Sequence, residues 1–80
     1  MEASYRQGMT DIPIHRFAEV VRARRQSIGM SQRELARHVH STQGHVGQLE
    51  RGTHFPGLIK AKQIADALGL EIVIRERKAP

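Results

Sequence analysis

The residues of this 80-residue chain with the most chemistry to offer are five histidines and a small group of glutamines. His38, His40 and His45 invite a metal, but a closed zinc site takes four ligands from rigid neighbouring positions. There is no cysteine, and the histidine spacing straddles a turn, so no metal is expected. No nucleophile, base and orienting acid stand out and no glycine-rich phosphate loop occurs, so neither an enzyme nor a cofactor is expected. What remains is hydrogen bonding. Gln43 and Gln48 can each set an acceptor beside donors, the pattern that meets N6 and N7 of adenine. His45 lies between them with Gly44 and Gly47, two glycines that each cost about 1 kcal/mol of helix propensity and let a backbone approach closely. Thirteen Lys and Arg against eight Asp and Glu give a net charge of +5, and a pI near 10.8 favours a polyanionic partner.

The elements that must position these groups lie between Ser31 and Gly52. Ser31 with Glu34 three residues on has the spacing of a capping box, in which hydroxyl and carboxylate each satisfy a backbone N–H of the other residue. Leu35, Ala36 and Val39 recur at one-turn spacing and predict the buried face of a short helix. After His40 and Ser41, Thr42 can cap a second helix with Val46 and Leu49 inward and Gln43, Gly44, Gly47 and Gln48 on its other faces. Gly52 closes it. The layout is helix, turn, helix.

In these residues the chain resembles the Cro/cI and XRE-type helix-turn-helix DNA-binding domains of phage repressors and bacterial regulators. The resemblance runs from Phe17 to Leu70 and includes Ser31-Gln32 before Glu34-Leu35-Ala36, Val46-x-x-Leu49-Glu50-Arg51-Gly52, Pro56, and Ile64-Ala65-x-Ala67-Leu68-Gly69. His40 departs from it, standing where the family's turn usually has glycine; a histidine tolerates positive φ better than most residues, so the turn is expected to survive. The resemblance implies a mainly α, lambda-repressor-like bundle of four helices that binds double-stranded DNA as a transcriptional repressor. It places Gln43 and Gln48 at base edges, and from their position between these two, Gly44 is read as admitting the backbone close to the bases and His45 as taking a base or phosphate contact. The resemblance also puts Gln32 at a phosphate, and Arg33, Thr42, Arg51, Thr53 and His54, in or flanking the two helices of the motif, are read as further phosphate contacts. The bland alternative is that the glutamines merely solvate a helix face.

Around this centre, residues 1–11 read as a mobile tail, with Tyr5 and Arg6 its notable side chains. A helix is predicted from Asp11 or Ile12 as cap, through Pro13 in its first turn, to Gly29. Its inner stripe is Ile14, Phe17 or Ala18, Val21, Arg25 and Ile28. An arginine on an apolar stripe needs a partner, and Glu50, on the inward side of the second helix of the motif, is the natural carboxylate. The resemblance puts an ion pair at the same two positions. Arg16, Arg22 and Arg24 lie off the stripe and face phosphate or water. Thr53 to Pro56 forms a loop, and Gly57 to Leu68 a fourth helix with Ala61, Ile64, Ala65 and Leu68 inward. Residues 12–69 make the helical domain.

Residues 70–77 change character. Leu70, Ile72 and Ile74 alternate with Glu71, Val73, Arg75 and Arg77, which is a strand pattern. A lone strand cannot satisfy its own backbone groups, so a second copy is expected to supply the other. About a two-fold axis at Val73, Ile72 would face the partner's Ile74 and Glu71 the partner's Arg75. Here the sequence resembles HipB-type antitoxins, which implies a homodimer on a palindromic operator. As the alternative, it implies a protein whose main task is to hold a kinase-type toxin. Residues 78–80 are a short tail. With no cysteine, no signal-peptide core and no run approaching a membrane span, a cytoplasmic protein is expected.

Overall fold

The computed structural model describes residues 12–74 and 76. A single 3-10 turn, Ile14–Arg16, leads into α1 (Phe17–Ser27), followed by α2 (Gln32–His38), α3 (Gln43–Glu50) and α4 (Leu58–Ala67). The first helix thus starts later than its pattern suggests. Pro13 is extended, its carbonyl accepts from Arg16 N at 2.9 Å, and no side chain caps the start of α1. A helix entry without a capping side chain tightens into i→i+3 closure. Ile14 in that turn falls off the 3.6-residue stripe and is 55% exposed; Ile28, past the last turn, is 43% exposed.

The core is drawn from all four helices: Phe17 and Val21, Leu35 and Ala36 with Val39, Val46 and Leu49, then Ala61, Ile64 and Leu68. Burying an aliphatic side chain of this size contributes about 1.5–3 kcal/mol, which is how so short a chain holds α3 rigidly. Phe55 from the loop after α3 meets Phe17 edge-on, ring centroids 5.5 Å apart, and Pro56 beside it is buried.

All four helices end in the same way. The residue after the C-cap takes positive φ, and paired N–H groups return to the last turn, as Thr53 N to Gln48 O at 3.1 Å and Gly52 N to Leu49 O at 3.0 Å show for α3. Glycine fills that position three times. The exception is His40, with φ of +52° between α2 and α3, where Ser41 N reaches Ala36 O at 2.8 Å. The turn is kept without its glycine.

Among the described residues no strand is present. Leu70 and Ile72 nevertheless pack on the core while Glu71 and Val73 face outward, so the alternation is expressed in side-chain direction; Ile74, at 85% exposed, has left the helices. Arg75, Arg77, the tail 78–80 and residues 1–11, with Tyr5, Arg6 and Asp11, lie outside the described residues. No helix among the described residues is long and apolar enough to cross a membrane.

Candidate nucleic-acid interface

The start of α2 is fixed by the capping box, with Glu34 N donating to Ser31 Oγ at 3.0 Å and Ser31 N to Glu34 Oε1 at 2.8 Å. That backbone hydrogen bond from Ser31 holds the Glu34 carboxyl below the usual carboxylate range. Thr42 Oγ1 accepts from His45 N at 3.1 Å and starts α3. Thr42 is therefore committed to the helix end, although it remains exposed.

On α3, Val46 and Leu49 enter the core, leaving Gln43, Gly44, His45 and Gln48 exposed along the outer side. Gly47 is buried, contrary to the expectation that it shares the outer face. A Cβ there would stand 3.3 Å from Arg51 Nη1 and 4.0 Å from Gln32 Nε2, so this glycine is what lets the Arg51 guanidinium fold back along the helix beside α2. Gly44 has open space around it, with only Thr42 Oγ1 within 3.9 Å of such a Cβ.

The inward end of α3 carries the ion pair. Arg25 Nε and Nη2 donate to Glu50 Oε2 and Oε1 at 2.7 and 2.9 Å, and Arg25 Nη1 donates to Met30 O at 2.8 Å. The Glu50 side chain is 3% exposed and that of Arg25 10%. Burial alone would push the Glu50 carboxyl up. The hydrogen bonds from Arg25 and Gln32 and the charges of Arg25 and Arg22 outweigh it and hold the group below the usual carboxylate range. Among the described residues no buried side-chain nitrogen or oxygen lacks a partner.

Gln32, read from sequence as a phosphate contact, has a second attachment that the sequence did not reveal. Its Nε2 donates to Glu50 Oε1 at 3.1 Å, and Gln43 Nε2 approaches its Oε1 at 3.4 Å. Arg33 Nη2 reaches Gln43 Oε1, also at 3.4 Å. Nothing in the spacing of residues 32, 33 and 43 signals these contacts, because they depend on the angle at which α2 and α3 meet.

Beyond α3, the Thr53 hydroxyl donates to Gln48 O at 3.0 Å and helps close the helix. His54 stacks near His45, ring centroids 6.4 Å apart and planes 19° from parallel, and Ser41 Oγ lies 3.4 Å from His45 Nδ1. The two imidazoles that sequence placed at the polyanion are thus brought side by side. Among the described residues no three His, Cys, Asp or Glu gather as a metal site.

Of the arginines off the inner stripe, Arg16 pairs with Glu19 at 2.6 Å and Arg24 Nε donates to Leu68 O at 2.8 Å at the end of α4. Lys60 does the same for α2, its Nζ 2.6 Å from Val39 O. Cations at these carbonyl ends complement the helix dipole, a role that residue type near a helix end could have signalled for neither, since both reach in from another helix.

With this geometry stand three likenesses. The helix-turn-helix family model (HTH_3) matches residues 21–74. An uncharacterized HTH-type transcriptional regulator of Sinorhizobium fredii, y4dL, is 48% identical over 62 residues, covering 78% of this chain and 32% of that protein. An uncharacterized HTH-type transcriptional regulator of Methanothermobacter thermautotrophicus is 42% identical over 52 residues, covering 65% of this chain and 75% of its own length. The chain thus spans about a third of the rhizobial relative and most of the archaeal one. Matched over well over half its length, with capped α2 and α3 set across a tight turn, the chain belongs to the helix-turn-helix family.

Proposed function

We propose that this chain is a sequence-specific, double-stranded DNA-binding transcription regulator that lays α3 in the major groove and acts as a repressor. The observation that carries the reading is the division of α3. One side is locked to the body by Val46, Leu49 and the Arg25–Glu50 pair, while Gln43, at the edge facing α2, and Gly44, His45 and Gln48, on the outer side, are all exposed. A short, rigid helix with amides outward and little side chain between them suits the depth of the major groove. The names of the two relatives point the same way.

In this reading Gln43 and Gln48 read base edges, with Gly44 admitting close approach and His45 adding a donor. Gln32, Arg33, Thr42, Arg51, Thr53 and His54 surround them and meet the sugar-phosphate backbone, which positions the helix without reading sequence. Gln32 still has one amide N–H beyond the one given to Glu50. The protein acts as a homodimer joined through residues 70–77, so that two α3 helices meet half-sites about one helical turn apart on a palindromic operator.

Selection of bound sites from random duplexes tests the reading. The wild-type protein is expected to yield a two-fold symmetric site. Gln43→Ala should relax one or two base pairs in each half, with a loss of discrimination of about 1–3 kcal/mol there. An unchanged selected site in Gln43→Ala would remove Gln43 as a reader, and no enrichment by the wild type would overturn the function.

A further inference from the structure

The amide of Gln43 is met from two sides by the preceding helix, by Gln32 Oε1 and by Arg33 Nη2, each at 3.4 Å. The line of contacts continues inward through Gln32 Nε2 to Glu50 Oε1 at 3.1 Å, and Glu50 is bound by Arg25. The two ends of this line have no choice of role. A guanidinium only donates and an ionised carboxylate only accepts.

The amides between must therefore run in one direction. Glu50 turns the Gln32 NH2 inward and its oxygen outward, and that oxygen calls for the Gln43 NH2. Arg33, from the other side, calls independently for the Gln43 oxygen. Both demands agree on a single flip state of Gln43. At 3.4 Å the contacts are long enough for the side chain to lean into a groove, and each carbonyl oxygen retains a second lone pair.

We infer that Arg33 is a specificity-determining residue, one that positions Gln43 rather than serving only as a phosphate contact; the inference rests on α3 being the major-groove helix. With its oxygen turned toward Arg33 and its NH2 toward Gln32, Gln43 offers an acceptor and a donor in a set order. Adenine answers with its N6 donor and N7 acceptor. Guanine sets O6 against the Gln43 oxygen, acceptor against acceptor, and is rejected. An amide free to turn could instead direct its NH2 at O6 and lose that rejection.

The experiment is a double-mutant cycle on DNA binding by the full chain. Arg33→Met, Gln43→Ala and the double variant are measured on duplexes that carry adenine or guanine at the position relaxed by Gln43→Ala. Arg33 is exposed, so the fold should persist, which far-ultraviolet circular dichroism verifies. Arg33→Met should reduce the adenine-over-guanine ratio by about three- to ten-fold, within the range found for coupled neighbours. In the Gln43→Ala background the same change should leave the ratio unaltered. Equal weakening on both duplexes, or the same loss of ratio with and without Gln43, would overturn the inference while leaving the DNA-binding function intact. A wild-type protein that binds every duplex alike would overturn both.

Discussion

Arg25→Met is expected to destabilise the domain by about 3–5 kcal/mol, the usual consequence of leaving one member of a buried ion pair alone. A chain of this length has a total stability of only about 4–12 kcal/mol, so the variant should be partly unfolded at physiological temperature. The size of the effect follows from what Arg25 holds: two oxygens of Glu50 and the carbonyl of Met30, with the Glu50 side chain almost wholly inside. Adding Glu50→Met should recover a large part of the loss, because no buried charge then remains. Urea unfolding measures both. A single variant within 1 kcal/mol of wild type would mean that water reaches Glu50 easily and that the pair is not the clamp described above.

The same pair sets the acid behaviour. Glu50 is held below its ordinary value of 4.5, so its contribution is present above that pH and is lost as pH falls through the lower, folded-state value. Glu34 acts in the same direction. Wild-type stability should therefore decline on acidification below about pH 4.5. In Arg25→Met the sign reverses for Glu50: burial dominates, the carboxyl rises above its ordinary value, and protonation relieves the buried charge. The stability gap between the two proteins should narrow from about pH 7 to about pH 4. A gap that is constant across that range would show that Glu50 does not carry the charge.

Removal of residues 73–80 is expected to convert a dimer into a monomer and to weaken operator binding by about 100-fold or more, the scale of linking two binding modules. Ending the chain after Ile72 keeps Leu70 and Ile72 on the core and preserves the 2.8 Å hydrogen bond from Leu70 N to Ala65 O, so the helical domain should stay folded. What is removed includes Val73 and Ile74, 55% and 85% exposed on a single copy and available to a second. Sedimentation at micromolar concentration separates the outcomes. A truncated protein that remains dimeric would move the interface to the helices, where Leu58 and Ile59 of α4 are 60% and 78% exposed.

Much of this architecture is legible in the chain because the signals are local. Ser31 and Glu34 are three residues apart, Thr42 immediately precedes α3, and Gly29, Gly52 and Gly69 each come within three residues of a helix's last apolar residue. Even the Arg25–Glu50 pair, 25 residues apart in sequence, can be read, since each charge falls on the inward side of its helix and a buried charge needs a partner. Legibility fails where geometry between elements decides. The burial of Gly47 comes from Arg51 and Gln32 closing over it, and the second role of Gln32 comes from the crossing of α2 and α3. Ile14 and Ile28 have the right spacing but sit in turns that abandon the helical period. For residues 70–73 the alternation is visible in side-chain direction, but Ile74 breaks it and no strand is present among the described residues, because none of them within one copy lies beside this segment to pair with it.

Gln43 and Gln48 share one helix but do not have equal freedom to diverge over evolutionary time. Among the described residues the exposed side chain of Gln48 makes no hydrogen bond and its backbone carbonyl is held by Thr53, so the side chain can be exchanged without disturbing one of these neighbours. A replacement at Gln43 removes two 3.4 Å contacts, from the Arg33 guanidinium and to the outer oxygen of Gln32, the amide that also braces buried Glu50. If α3 reads DNA as proposed, duplicated copies of this gene should therefore drift apart in operator preference first at the base met by Gln48. In the proposed reading, preference at the base met by Gln43 should change together with Arg33 or Gln32, the residues that its amide contacts.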